Sequence, residues 1–139
     1  MNKIILIFWL SLTFALSLKA QENKHDLTIE ISGLNSNTGS VFIALYNNKK
    51  DFLKNNYKGV KANISNKKTS YTFKELPEGT YAVSFFNDEN NNKKLDTNFL
   101  GIPKEQYGFS NNAKGFMGPP KYENTAFTLL SDKTIQIKI

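Results

Sequence analysis

The sequence predicts an all-β fold: an antiparallel immunoglobulin-like or transthyretin-like β-sandwich of about seven strands, carrying one long ordered loop. Three observations point there. Short runs of alternating apolar and polar residues recur between turn signals, and no long helical period interrupts them. Hydrophobic residues make up 40% of the chain and aromatics 13%, enough for a packed core and too much for a disordered chain. A length of 139 residues holds one such domain and a short processed segment.

Residues 1–20 have the pattern of a secretory signal peptide, with a positive Lys3, an apolar run from Ile4 to Leu18 and a small Ala20 before the expected cut at Gln21. That run is 15 residues long, short of the roughly 20 that span a bilayer. No cysteine follows it, so lipid attachment to a thiol there is chemically excluded. The expectation is an exported protein, periplasmic or extracellular, with no stable membrane insertion after signal removal. Residues 21–25 form a flexible lead-in, and residues 26–139 form the sandwich.

Leu27, Ile29 and Ile31 alternate with Thr28, Glu30 and Ser32, the period of a half-buried strand. Gly33 and the polar run 34–39 end it as a loop. Ser40 to Tyr46 is apolar on both faces, as a strand covered on both sides should be. Residues 49–56 predict a short helix or turn, with Phe52 and Leu53 facing the core. Val60 to Ile64 is a weaker strand, and Thr69 to Phe73 alternates with Tyr71 and Phe73 on one face. Leu76-Pro77-Glu78-Gly79 is a turn in which Pro presets φ and Gly supplies a positive φ. Thr80 to Phe86 follows as a strand, with Tyr81, Val83 and Phe85 opposite Ala82, Ser84 and Phe86. Residues 125–130 and 134–139, around Ser131-Asp132-Lys133, predict a C-terminal hairpin with Ile135, Ile137 and Ile139 facing inward.

Residues 88–124 are too long for an ordinary connection and too aromatic for disorder, holding Phe99, Tyr107, Phe109, Phe116 and Tyr122. Function is expected there. Its first part places oxygen side chains Asp88, Asn90, Asn92 and Asp96 at relative positions 1, 3, 5 and 9, with the carbonyl of Lys94 at position 7. Such a loop converges hard oxygen ligands on one centre, and Ca²⁺ takes about six to eight of them. The EF-hand pattern is incomplete, because Lys93 stands where it needs Gly and Phe99 where it needs Glu; Glu105 or Glu89 would have to supply the missing carboxylate. An asparagine-rich turn without any ion satisfies the same spacing, since Asn tolerates the left-handed conformation.

Composition removes several chemistries. There is no cysteine and one histidine, His25, so thiolate zinc sites, disulfides and His-based metal clusters are excluded. All 18 basic residues are lysines, which argues against a nucleic-acid reader, because bidentate base and phosphate contacts favour Arg. Removing Lys3 and Lys19 with a segment that holds no acid takes the net charge from +6 to +4. The lysines at 49, 50, 54, 58, 61, 67 and 68 are a solvated face or an anionic-surface contact.

The segments Leu76–Ala82, Asp88–Asp96, Gly101–Ser110 and Gly118–Pro120 together resemble bacterial domain-of-unknown-function family 2141, and the resemblance covers most of residues 26–139. It departs at Asn87, where His is common in that family, and at Asn91 and Lys93, where glycines are common. What the resemblance implies is an exported β-sandwich domain without an assigned activity.

The leading expectation is therefore a non-enzymatic module with no catalytic residues, its loop organised by Ca²⁺ at Asp88, Asn90, Asn92, Lys94 and Asp96. Gly101, Pro103 and Gly108 would set its backbone turns. Tyr107, Phe109, Phe116 and Tyr122 are either the core of the packed loop or a stacking platform for a glycan or an envelope protein. The alternatives are a glycan hydrolase using a pair among Glu89, Asp96 and Glu105, and a purely structural envelope accessory protein.

Overall fold

The computed structural model describes residues 21–139, so the signal-peptide reading of residues 1–20 lies outside the described residues. Eight strands run in chain order: β1 (Lys24–Ser32), β2 (Ser40–Tyr46), β3 (Lys58–Asn63), β4 (Lys68–Pro77), β5 (Gly79–Asp88), β6 (Tyr107–Phe109), β7 (Phe127–Leu129) and β8 (Lys133–Lys138). A short 3-10 turn (Ser110–Asn112) follows β6, and a short α-helix, α1 (Tyr122–Thr125), precedes β7. No helix among the described residues is long and apolar enough to cross a membrane.

The period-two alternation sorts each strand between core and solvent. Leu27, Ile29 and Ile31 of β1, Val41, Ile43 and Leu45 of β2, and Tyr81, Val83 and Phe85 of β5 all point into one buried cluster. The first sheet has the order β4-β1-β8 and the second β3-β2-β5-β6, with β7 also on β5. These two layers are the sandwich the alternation predicts.

Strand β5 organises the second sheet. Along one edge it pairs with all of β2; along the other, β7 takes Gly79–Tyr81 and β6 takes Ser84–Phe86. Val83 falls between the two short partners. Its backbone N–H donates instead to the Ser110 hydroxyl at 2.9 Å, and that hydroxyl donates to the Thr125 carbonyl at 2.6 Å. One side chain thus carries the ladder across the gap and ties down α1.

Four expectations need correction. The C-terminal hairpin does not form, because β7 is taken by the free edge of β5 while β8 runs parallel to β1, pairing Ile29 with Ile135 and Ile31 with Ile137. In consequence Ile137 is buried, Ile135 is partly buried, and Ile139 is exposed. Leu53 does not face the core: residues 49–56 are a turn, Leu53 takes a left-handed φ of 59°, and only Phe52 packs inward, edge-on to Tyr46. Gly79 does not take a positive φ at the β4–β5 turn; Glu75 does (55°), inside β4 at the bulge opposite the register shift between His25 and Leu27. The lead-in is shorter than predicted, since Lys24 and His25 pair with Pro77 and Leu76.

Asn87 shares the inward face of β5 with Phe85, is 0% exposed, and has no side-chain hydrogen-bond partner among the described residues. An amide desolvated without partners opposes folding. Asn87→Leu is expected to stabilise the domain by about 1 kcal/mol, read as a higher midpoint in urea with an unchanged slope. A lower midpoint would show that the amide is engaged.

Candidate functional site

The loop after β5 closes on its own carboxylates. Asp88, the last residue of β5, is fully buried, and its two oxygens accept the backbone N–H groups of Asn92 at 3.1 Å and Lys93 at 2.8 Å. Asn90 and Asn92 accept the N–H groups of Asn92 (3.2 Å) and Lys94 (2.9 Å) through their side-chain oxygens. Their amide nitrogens both donate to the Asp96 carboxylate. Glu105, nearly buried, accepts the N–H groups of Glu89 and Asp96, each at 3.0 Å. Asn91 and Lys93, the two positions where glycines are common in the resembling family, adopt left-handed φ values of 57° and 65°.

Asp88, Asn90, Asn92 and Asp96 are therefore brought together, and Lys94 joins them through its backbone N–H. As donors of two carboxylates and two amide oxygens they match a hard cation in type. In the observed arrangement, however, both amides present N–H to Asp96, so a cation enters only if those amides turn. Among the described residues, no three His, Asp or Glu groups stand close enough to share an ion.

Beside this loop lies an open cleft of about 1170 Å³ on the outer face of the second sheet. Its floor is Phe42, Ala44, Ser84 and Phe86, and its walls come from Leu95, Thr97, residues 100–103, Tyr107, Gly115 and residues 117–119. Phe42 and Phe86 are cross-strand neighbours with stacked rings, 5.3 Å between centroids and 10° apart in plane. The Lys61 ammonium lies 5.8 Å from the Phe42 centroid, at the reach of a cation–π contact. The Tyr46 and Ser84 hydroxyls meet at 3.2 Å within the same lining, which is otherwise mostly apolar.

The four predicted aromatics separate. Tyr107 is half-exposed in the cleft wall, and Phe109 is buried behind it with ring centroids 5.9 Å apart. Tyr122 sits edge-on to Phe52 at 5.5 Å, in a knot that includes Tyr46 and Phe109. Burial raises the Tyr122 phenol above its ordinary pKa, Glu123 adding to the effect, while a hydrogen bond from Lys49 holds the Glu123 carboxyl below its own. These contacts make Tyr122 a clasp between α1 and the 49–56 turn. Phe116 is in neither place; it is 92% exposed on a tip beside the cleft. The floor residues Phe42 and Phe86 escaped the sequence reading, although Ser40–Tyr46 being apolar on both faces was their signal.

Of the carboxylates considered for hydrolysis, Asp96 accepts two side-chain amide donors. Both Glu105 oxygens are committed to backbone N–H groups. His25 stands at the start of β1, bonded to Glu78 at 2.9 Å.

Fold and site together define a two-layer β-sandwich with a carboxylate-closed loop beside an aromatic-floored cleft. The chain belongs to the bacterial family described as "Uncharacterized protein conserved in bacteria (DUF2141)", which it matches over residues 29–138. Among curated proteins, none matches it.

Proposed function

We propose that this is an exported, non-enzymatic binding module that holds the apolar or aromatic part of an envelope or extracellular partner in the cleft over Phe42 and Phe86. The observation that carries this reading is the cleft itself: half-buried stacked rings on a sheet face, walled by an ordered loop, with few polar groups to fix orientation. The hydrogen-bonded state of Glu105 supports the non-enzymatic part. Export rests on the pattern of residues 1–20.

Fluorescence titration with anilinonaphthalene sulfonate, a planar apolar anion, tests the cleft. Phe86→Ala is expected to weaken binding about tenfold, the loss of one ring's burial. Its melting temperature should stay close to wild type, because the ring packs on the outer face. Equal affinities in the two proteins would move the binding surface elsewhere.

Calcium belongs to the same reading as a guest of the 88–96 loop, with Asp96 exchanging its two amide donors for the ion. With a Kd of ~10⁻⁴ M, as in weak extracellular sites, ~2 mM Ca²⁺ adds about 1.8 kcal/mol of stability. That is a rise in Tm of roughly 5 °C over a chelated sample. Superimposable melting curves would remove the ion and leave the cleft reading intact.

A further inference from the structure

Two turns stand at the rim of the cleft with large apolar side chains held outward. On the first, Phe99 is 95% and Leu100 69% exposed; on the second, Phe116 is 92% and Met117 94% exposed. A single exposed apolar residue is unremarkable, but four at this level on adjoining turns make a patch that calls for a partner. Leu100, Ile102 and Met117 all line the one cleft, so the two turns share a face of the molecule.

Both turns are built to hold this pose. The Asn98 side-chain oxygen accepts the N–H groups of Leu100 (2.9 Å) and Ile102 (3.0 Å). The Asn98 N–H donates to the Ile102 carbonyl at 2.8 Å, and Thr97 bridges Pro103. In the second turn, a Cβ on Gly115 would fall 1.8 Å from the Gly118 carbonyl oxygen, so only glycine permits that closure. The ordering entropy of these tips is met by the fold before any partner arrives.

Charge selects the partner. Lys93, Lys94 and Lys104 flank the first tip in sequence and Lys114 and Lys121 the second, and all five are exposed. Among the described residues none of the five forms an ion pair. Apolar tips flanked in sequence by exposed lysines without ion-pair partners match the interface of an anionic bilayer, where aromatic and aliphatic side chains enter the acyl boundary and ammonium groups meet phosphate.

We infer that Phe99–Leu100 and Phe116–Met117 seat this protein reversibly on an anionic membrane surface, with the cleft mouth facing the lipid headgroups. This attachment is interfacial and independent of what the cleft holds. Sedimentation of the chain from Gln21 to Ile139 with phosphatidylglycerol-rich vesicles, and with phosphatidylcholine vesicles, tests it. Binding is expected to the anionic vesicles and to fall with added salt. The double variant Phe99→Ser, Phe116→Ser should bind about a hundredfold more weakly, roughly tenfold per ring. Its melting temperature should be unchanged and its probe binding at Phe42 and Phe86 retained, which separates this result from failure of the cleft reading. Absence of vesicle binding, or binding that the double variant preserves, would overturn the inference. Concentration-dependent dimerisation abolished by the same substitutions would assign the tips to a second copy and overturn it too.

Discussion

Replacing Glu105 by alanine is expected to destabilise the domain by about 3 kcal/mol. Its carboxylate accepts two backbone N–H groups at 3.0 Å, from Glu89 and Asp96, at a position only 8% exposed. A hydrogen bond to a charged group contributes about 1.5–3 kcal/mol, and the alanine variant leaves two donors without an acceptor. Water entering the vacated space restores part of the loss, which keeps the total near the lower end of the sum. For a chain of 15.8 kDa this corresponds to a fall in Tm of roughly 10–15 °C. Glu105→Gln, which keeps one acceptor oxygen, should fall between wild type and alanine. Hydrogen exchange should accelerate first at the amides of Glu89 and Asp96, because the loop opens before the sandwich does. An alanine variant that melts with wild type would mean that the two amides find other acceptors and that Glu105 does not close the loop.

The second large effect belongs to Ser110→Ala, expected to cost about 2 kcal/mol. Alanine nearly preserves shape, so no cavity contributes, and the loss is almost wholly polar. The hydroxyl, 0% exposed, joins the Val83 N–H to the Thr125 carbonyl where neither β6 nor β7 reaches β5. Removing it strands a donor and an acceptor in the interior, where each unsatisfied group costs about 1–3 kcal/mol. Chemical denaturation should show a reduced midpoint with an unchanged slope. A change below about 0.5 kcal/mol would show that Val83 and Thr125 re-pair without the hydroxyl.

These two residues show where the chain was legible and where it was not. Glu105 stood out in the sequence as a spare carboxylate for the Asp88–Asp96 loop, and it does reach that loop. Its partners turned out to be backbone amides, which no side-chain spacing encodes. Ser110 gave no signal at all, because its role exists only where β6 and β7 leave Val83 uncovered. The convergence of Asp88, Asn90, Asn92 and Asp96 followed from alternate positions in a tight loop; the orientation of the two amides toward Asp96 followed from the packing around it. Phe116 and Tyr122 looked equivalent as aromatics in a glycine-rich stretch. One ended on an exposed tip and the other against Phe52, because α1 is pulled in by Ser110 while the 115–119 turn is not.

By itself the sequence determined the class of fold, the inward face of β1, and the family to which the chain belongs. Those properties repeat every second residue or lie within a few positions of one another, so local pattern carries them. Only the tertiary structure decided that β8 runs parallel to β1 and that Phe42 and Phe86 floor a cleft. It also decided that two apolar turns share its rim. Each of these joins residues distant in the chain, and the balance of edge pairing and burial that selects such partners is a property of the assembled sheets.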